Sequence, residues 1–381
     1  MAPEKVLVAG ALGVVGRAVV ERLAAKPDYR VVGLARRAPD AGLLDALRSA
    51  PNPVEWIGCD LFDAEATRRA LAPHRDASRL VFAALHEKPQ LVRGWFEPDH
   101  VDHNAALLRN TLRALDGGAV SHVTLLQGTK AYGAHAGHAM RIPARESDAI
   151  RDPRTFYFAQ QDLLEASAAQ AGFDWTILRP QIVLGVAVGS AMNPVAALGA
   201  YAAILREEGS PLVFPGHPRA LAECVDARIV ASAVEWAWSE PRAWGEAINL
   251  ANGDVVVWRS FFERLGALFG LKVAERPARL DESASIAERP VQLAETMPPR
   301  AALWRRIARR EGLRIADLEA LIGLSWQYSD VLWANPAPPA MPSLVSTIKA
   351  RQLGFGDCID SEECIVEHLD AMRRLTYLPR F

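Results

Sequence analysis

Three glycines near the start of the chain are spaced as in a loop that binds a pyrophosphate. Gly10, Gly13 and Gly16 follow an apolar run that begins at Val6, and an amphipathic stretch comes after them. In a strand, loop and helix, Gly10 permits a tight turn, Gly13 lets the backbone approach the pyrophosphate, and Gly16 lets the helix pack on the strand. The helix N-terminus then offers backbone N–H groups to the anion. The predicted contacts of a dinucleotide with this loop are Gly10, Leu12, Gly13, Val14, Val15 and Gly16.

Two arginines stand where a dinucleotide-binding chain usually has an acidic residue for the ribose 2′-hydroxyl. They are Arg36 and Arg37, and no carboxylate occurs in residues 31–39. A guanidinium attracts the 2′-phosphate that distinguishes NADP from NAD, so the pair predicts NADPH as the coenzyme. Two solvated surface arginines are the alternative. Asp60 is predicted to accept from the adenine amino group, with a simple turn residue as its alternative.

Other residues that could bind metal or form disulfides do not make a pattern. His100 and His103, like His135 and His138, lie three residues apart, but neither pair has a convincing third ligand nearby. Surface histidines are therefore predicted, and no metal site. The cysteines show no CxxC pair and no disulfide framework, which favours a reducing compartment. They are Cys59, Cys224, Cys358 and Cys364.

Charge and hydropathy exclude several classes of protein. The 381 residues include 43 Lys and Arg against 45 Asp and Glu, so no basic field points to nucleic acid. An apolar strand is predicted almost at the first residue, so no export signal is expected. The weakly polar residues 182–205 contain glycines and a proline, and are predicted to form a loop and a buried helix, not a membrane span. A cytoplasmic protein is expected.

The elements that position these residues alternate along the first half of the chain. Short β-branched runs and amphipathic stretches succeed each other, which is typical of βαβ units and a parallel sheet. The predicted strands are residues 6–9, 31–35, 54–59, 80–84, 122–127 and 175–178. The predicted helices are residues 14–25, 64–71, 103–115 and 156–171. Right-handed crossovers then give an α/β fold, a Rossmann-type doubly wound parallel sheet.

The second half of the chain mostly lacks this rhythm. Residues 225–238 are predicted to form a helix and 247–251 a strand that rejoin the sheet. The predicted NADP-binding Rossmann domain therefore spans residues 1–185 and is completed by about 222–251. Residues 186–221 and 252–381 are predicted to form a smaller, mainly helical substrate-binding cap. Within the cap, the prolines of residues 335–342 predict a rigid loop.

The glycine spacing, Asp60 and the Leu-Arg-Pro triplet at 178–180 resemble the extended short-chain dehydrogenase/reductases. In that group a tyrosine and a lysine four residues later share a helix face, where the ammonium lowers the pKa of the phenol and grips the nicotinamide ribose. Tyr157 opens the corresponding helix here, but Gln161 takes the place of the lysine. Lys130, after the fifth predicted strand, is interpreted as the displaced cation.

A lysine at that place, with a tyrosine in an aromatic triplet at the next helix start, resembles the progesterone 5β-reductase and iridoid synthase-like enone reductases. The likeness spans nearly the whole chain. The segments that carry it are Ala35-Arg36-Arg37, residues 156–162, residues 178–185, Met192-Asn193, Tyr201 to Ile204, Cys224 with Asp226, Asn249 with residues 252–254, and Trp258. The chain departs from the family pattern at Ala131, Thr155 and Phe158, where the family has His, Asn and Tyr.

The resemblance implies that Tyr157 binds the substrate carbonyl oxygen, that Lys130 supports this oxyanion site, and that the two arginines hold the NADPH phosphate. Hydride arriving at the β-carbon of an enone pushes charge onto the oxygen, which a preorganised donor stabilises. Coenzyme contacts are further predicted at Asp60, Leu61, Gln127, Tyr157, Pro180 and Ile182. Substrate contacts are predicted at Leu85, Tyr132, Met192, Asn193 and Trp333, with core packing as the alternative for Trp326, Tyr328 and Trp333.

Three functions compete on these residues. The first is an NADPH-dependent enone 1,4-reductase acting on a medium-sized, largely apolar enone or enal. The second is a dehydrogenase of the same fold that reduces C=O, or an epimerase-like relative, and the missing helix lysine argues against it. The third is a regulator that binds NADPH without turnover, against which Lys130 and Tyr157 argue. A small-molecule substrate is the expected partner, a homodimer is compatible with the chain, and neither nucleic acid nor membrane is expected.

Overall fold

A computed structural model describes residues 2–217, 220–274, 291–333 and 342–380. The predicted rigid loop at 335–342 therefore lies almost wholly outside the described residues. The chain divides into two compact units. The first comprises Met1–Val183, Val225–Asn252 and Ser343–Cys358, and the second comprises Leu184–Cys224, Gly253–Pro342 and Ile359–Phe381.

The first unit contains, within the described ranges, a seven-stranded sheet in which every pairing is parallel. Its strands are β1 (Glu4–Ala9), β2 (Tyr29–Ala35), β3 (Glu55–Gly58), β4 (Arg79–Phe82), β5 (His122–Leu126), β6 (Asp174–Pro180) and β10 (Glu246–Leu250). Their order across the sheet is β10-β6-β5-β4-β1-β2-β3. This confirms the predicted Rossmann-type sheet, including the late strand that rejoins it.

Helices cover the sheet because its central strands are apolar on both faces. Leu7 and Ala9 of β1 pack in one core with Leu71, Leu108 and Leu164, while Val6 and Val8 alternate to the other face. The helices of this unit are α1 (Val14–Ala24), α2 (Ala41–Ala46), α3 (Ala64–Leu71), α4 (Leu91–Gly94), α5 (Pro98–Leu115), α6 (Phe156–Ala171), α8 (Ala227–Ser239) and α14 (Ile348–Gln352). Helix α1 packs against α8, whereas α5 packs against both α3 and α6.

Three predicted boundaries are corrected by the structure. Helix α5 begins at Pro98, five residues before its predicted start at residue 103, because proline is well tolerated in a first helical turn. Residues 225–238 are not helical throughout, since β9 (Cys224–Asp226) precedes α8 and the Asp226 side chain caps that helix by accepting from the Arg228 N–H.

The third correction concerns residues 343–358, which were assigned to the cap but belong to the first unit. Val345 forms a bridge with Ala144, and the Ser343 carbonyl accepts from the Gln181 side chain at 2.8 Å. Lys349 forms an ion pair with Glu246 at 2.6 Å. These contacts join residues far apart in the chain, so periodicity did not indicate them.

The second unit is built around one buried helix, α7 (Pro194–Glu207), in which every residue from Pro194 to Leu205 is buried. It packs against α9 (Trp258–Phe269), α11 (Ala301–Glu311), α12 (Leu318–Ile322), α13 (Ser325–Leu332) and α15 (Ser361–Arg374), and α10 (Leu293–Thr296) packs against α13. Its short strands are β8 (Leu221–Ala222) and β11 (Val256–Val257), which pair antiparallel. The remaining strand, β7 (Ile182–Leu184), contains the position in the chain at which the first segment of the first unit ends, Val183. No helix in the described part of the chain is both long and apolar enough to span a membrane.

Candidate active site

The glycine loop between β1 and α1 is held closed by two backbone approaches. Gly10 has φ +79°, and a Cβ there would lie 2.5 Å from the carbonyl oxygen of Ala83. A Cβ on Gly16 would lie 2.2 Å from the carbonyl oxygen of Gly10. The protein itself therefore requires both glycines, one for the turn and one for the contact between helix and loop.

Gly13 differs, because the protein leaves space beside it. The nearest atom that a Cβ on Gly13 would meet is the Gly10 oxygen at 3.4 Å, an ordinary contact. Gly13 is also the N-cap of α1, and no side chain caps the helix there. The first N–H groups of a helix lack partners within the helix. The arrangement fits a pyrophosphate held by the backbone of the loop that includes Leu12, Val14 and Val15.

The arginine pair lies in an exposed loop that is anchored by an acid. Arg36 and Arg37 follow β2 and are exposed. Asp40, three residues later, caps α2 by accepting from the Gly42 and Leu43 N–H groups, and lies 3.8 Å from the buried Arg17 guanidinium. The Asp40 carboxylate thus anchors this loop and also acts electrostatically on Arg37, and no local sequence pattern indicates this anchor.

Asp60 occupies a turn after β3, and its carboxylate is exposed. It accepts from the Phe62 N–H at 3.1 Å, which is the turn role considered as the alternative. The Phe62 ring stacks on His103 at 4.2 Å, and His103 stacks on His86 at 4.8 Å. The predicted contact of Asp60 with adenine stays a prediction.

A hydrogen-bonded chain fixes the start of α6, where Tyr157 lies. The Gln127 side chain donates to the Tyr157 carbonyl at 2.9 Å, and the buried Arg179 guanidinium donates to the Gln127 side-chain oxygen at 3.1 Å. These contacts connect the ends of β5 and β6 to the first turn of α6. Gln127 therefore holds the backbone of the residue predicted to be catalytic.

The Tyr157 hydroxyl lies against the loop that follows β5. A Cβ on Gly128 would be 3.0 Å from this hydroxyl and 3.5 Å from the Pro180 carbonyl oxygen. The backbone of Gly128 is extended at φ 176°, so any residue could adopt it, and space alone favours glycine. The side chain of Tyr157 is half-buried and packs edge-on against Phe156 at 4.7 Å. The phenol thus stands at the carboxyl edge of β5 and β6.

Lys130 lies in the 3₁₀ turn Thr129–Tyr132 and is largely buried. Its Nζ is 3.7 Å from the Oε1 of Glu87 and 3.6 Å from the centre of the Trp95 ring. Burial lowers the pKa of Lys130 to about 8, while the Glu87 carboxylate opposes this shift. Lys130 therefore has an acidic partner, Glu87, that no local sequence pattern indicates.

The remaining predicted substrate residues have contacts within the protein. Tyr132 is buried and its hydroxyl donates to Asn249 at 2.5 Å. In the second unit, Asn193 caps α7 by accepting from the Val195 N–H, and Trp333 is fully buried beside Phe214, Trp258 and Phe262. Trp333 therefore packs in the core, which is the alternative to a substrate contact. Substrate contacts of Tyr132, Asn193 and Trp333 stay predictions, as do those of Leu85 and Met192.

One histidine of each pair departs from the surface position predicted for it, whereas His138 is exposed as predicted. His100 is buried, with its Nε2 3.9 Å from the Oε2 of Glu87. His135 is half-buried, and its ring lies edge-on to the Trp95 ring at 6.5 Å. Burial lowers the pKa of each imidazole to about 4, which keeps both neutral at physiological pH. Glu87, an acidic residue in the loop that follows the fourth strand, was the available signal for this cluster.

The glycine loop, parallel sheet and tyrosine at the start of α6 define a nucleotide-dependent enzyme of the extended short-chain dehydrogenase/reductase superfamily. The chain belongs to the NAD dependent epimerase/dehydratase family, whose model matches residues 6–251. This confirms the predicted superfamily.

Within it, relatives match along nearly the whole chain. The chain is 31% identical to (S)-8-oxocitronellyl enol synthase CYC2 of Camptotheca acuminata, over 98% of this chain and 93% of the relative. It is 28% identical to 3-oxo-Delta(4,5)-steroid 5-beta-reductase of Arabidopsis thaliana, over 98% and 92%. These relatives confirm the resemblance drawn from the motifs.

Solved structures share the fold at lower identity. The UDP-glucose 4-epimerase of Thermotoga maritima superposes with a TM-score of 0.64 at 17% identity, covering 97% of this chain and 99% of the epimerase. The UDP-glucose 4-epimerase of Thermus thermophilus, solved with NAD, has a TM-score of 0.62 at 19% identity, with coverage of 97% and 99%. Their likeness concerns the fold.

Two glycine substitutions should separate the structural and binding roles of the loop. Gly16→Ala should lower the free energy of unfolding by about 1–3 kcal/mol, because overpacking against the Gly10 oxygen outweighs the better helix propensity of alanine. Gly13→Ala should leave the thermal midpoint nearly unchanged but weaken coenzyme binding. Thermal denaturation and calorimetric titration with NADPH measure both effects. Equal stability losses in the two variants would contradict this division.

Proposed function

We propose that this chain is an NADPH-dependent enone reductase that reduces the C=C bond of an α,β-unsaturated carbonyl compound. The observation that carries the proposal is the Tyr157 hydroxyl standing against Gly128 at the carboxyl edge of β5 and β6, with Gln161 where a carbonyl reductase of this superfamily has lysine. The relatives named for enol synthesis and steroid 5β-reduction support the same reaction class.

The coenzyme site is proposed from the glycine loop and the arginine pair. Bound NADPH would supply the hydride. The uncapped start of α1 and the open space beside Gly13 would hold its pyrophosphate. Arg36 and Arg37, exposed after β2, would pair with the 2′-phosphate. Asp40 caps α2, and its carboxylate also acts electrostatically on Arg37.

Tyr157 would act as the donor to the substrate oxygen. As negative charge develops on that oxygen, a hydroxyl already oriented toward it lowers the barrier without reorganising. The contact from Gln127 to the Tyr157 carbonyl fixes the backbone beneath the phenol. The phenol need only donate a hydrogen bond, since the enolate can take its proton at carbon afterwards.

Lys130 would contribute a fixed positive charge near this oxygen. It lies two residues after Gly128, against which the Tyr157 hydroxyl stands. A cation in a largely buried position acts through a lower effective dielectric than water provides. Its field would favour both the enolate and the hydrogen-bonded phenol.

The reaction product tests the proposal against direct carbonyl reduction. With NADPH and either a cyclic or a linear enone, we expect the saturated carbonyl compound, because the chain lacks the helix lysine of a carbonyl reductase. Mass spectrometry and chromatography of the product, with matched saturated ketones as controls, decide the matter. An allylic alcohol as the main product would favour C=O reduction, and binding without turnover would favour a regulator.

Coenzyme preference tests the arginine pair. NADPH should bind at least about tenfold more tightly than NADH, since one charge-assisted phosphate contact contributes about 1.4 kcal/mol. Arg36→Asp should move the preference toward NADH. Calorimetric titration of both coenzymes measures this, and equal dissociation constants in the unmodified protein would contradict the assignment. Arg93→Asp, which changes an exposed arginine in α4, is a charge-matched control.

Loss of the phenolic hydroxyl tests the donor. Tyr157→Phe should lower kcat by about a hundredfold or more with NADPH affinity nearly intact, because one lost oxyanion donor costs about 2.7–4 kcal/mol. Steady-state kinetics on an enone and calorimetry with NADPH measure the two quantities.

Tyr132→Phe is the matched control for that variant. It should mainly reduce thermal stability, since it leaves the buried Asn249 oxygen without the Tyr132 hydroxyl. Lys130→Met should lower kcat less than Tyr157→Phe does. Undiminished turnover in Tyr157→Phe together with a large loss in Tyr132→Phe would identify Tyr132 as the donor.

A further inference from the structure

The Lys130 ammonium is enclosed by residues of the loop that follows β4. Glu87 in that loop has a side chain only 4% exposed, and Lys130 has one 16% exposed. The Lys130 Nζ and the Glu87 Oε1 are 3.7 Å apart, which is an ion pair without a short hydrogen bond. The Glu87 Oε1 has no hydrogen-bond partner among the described residues. Its negative charge is therefore compensated by the charge of Lys130.

Trp95 fixes the relative position of these two charges. Its indole N–H donates to the Oε2 of Glu87 at 3.0 Å, while the face of its ring lies 3.6 Å from the Lys130 Nζ. A cation over an indole face is attracted by the ring quadrupole. One buried side chain thus orients the carboxylate through its edge and the ammonium through its face.

The other titratable groups that face Lys130 carry no charge at neutral pH. His100 from α5 and His135 from the turn Ala134–Ala136 both interact with the ammonium. Desolvation lowers the pKa of each to about 4. Among these groups, the Glu87 carboxylate is the one that can balance the Lys130 charge.

We propose that Glu87 is a positioning residue that keeps the Lys130 ammonium charged and fixed in the turn that follows Gly128. The inference rests on the proposed function, in which that charge stabilises the enolate. A buried ammonium without a partner tends to lose its proton, because burial disfavours the charged form. Glu87 would therefore act on catalysis through Lys130, without touching the substrate.

The direction of the pH effect follows from these charges. Burial lowers the pKa of Lys130 to about 8, and Glu87 opposes the shift. If the reaction needs the ammonium, activity falls as the pH rises through this value. Removing the Glu87 charge lets the pKa fall further, so the same loss of activity begins at a lower pH.

Direct titration of Lys130 tests the inference without turnover. The chain has six lysines, so the ¹³Cε signals of ¹³C-lysine-labelled protein can be assigned by comparison with Lys130→Met. We expect Glu87→Gln to lower the midpoint of Lys130 by about one pH unit or more. Glu97→Gln is the matched control, because Glu97 lies in the same connection between β4 and α5 but pairs with Lys88. It should leave the Lys130 midpoint unchanged.

Enone reduction then provides the functional readout. The ratio of kcat/KM between the unmodified protein and Glu87→Gln should be close to one at pH 6 and rise to about tenfold at pH 9. Glu87→Asp keeps the charge and should restore most of the lost alkaline activity. If Glu87→Gln does not fold, Glu87→Asp is tested instead. It should shift the titration midpoint of Lys130 by less than is expected for Glu87→Gln.

The outcomes separate the two proposals. A Lys130 midpoint that is the same in Glu87→Gln and the unmodified protein would overturn the role of Glu87. So would a shifted midpoint with an unchanged pH profile of enone reduction. Failure of the unmodified protein to reduce any enone with NADPH would instead overturn the proposed function, whatever the NMR titration gives.

Discussion

Parallel pairing of β4 with β5 and of β5 with β6 brings the carboxyl ends of three strands to one edge of the sheet. Each strand ends there and passes into a loop that carries part of the site. The loop after β4 contains Glu87, the turn after β5 contains Lys130, and β6 ends at Pro180. Strands in a sheet are about 4.8 Å apart, so residues just beyond their ends can meet although dozens of positions separate them in sequence.

Two different physical demands act on the loops at this edge. The loop after β1 is closed by backbone contacts that only glycine permits, at Gly10 and Gly16. The loops after β4 and β5 are instead held by charges and rings, since Trp95 contacts both Glu87 and Lys130. The constraint on the loop after β1 is steric, and glycine alone satisfies it. The second depends on compensation between partners, so a change in one partner alters the state of the other.

Periodicity in the sequence predicted the elements that carry the site. Short β-branched runs and helical spacing identified β1, β5 and α6, and hence the glycine loop and the position of Tyr157. Contacts between distant residues were not predicted, because no local pattern encodes them. The pairing of Glu87 with Lys130, the burial of Tyr132 against Asn249, and the return of residues 343–358 to the first unit are of this kind. An acid after a strand or a tyrosine in a turn has the same local appearance whether it faces solvent or a partner.

The cations of the proposed site differ in exposure, since Arg36 and Arg37 are exposed and Lys130 is largely enclosed. Mobile ions shield exposed charges over about 8 Å at physiological ionic strength, whereas enclosed charges are shielded much less. If these residues have the proposed roles, added salt would weaken the binding of the coenzyme phosphate by Arg36 and Arg37. The electric field of Lys130 at the substrate oxygen would stay nearly constant. Ionic strength would thus change the fraction of the enzyme that has bound coenzyme, and not the rate at which that complex reacts.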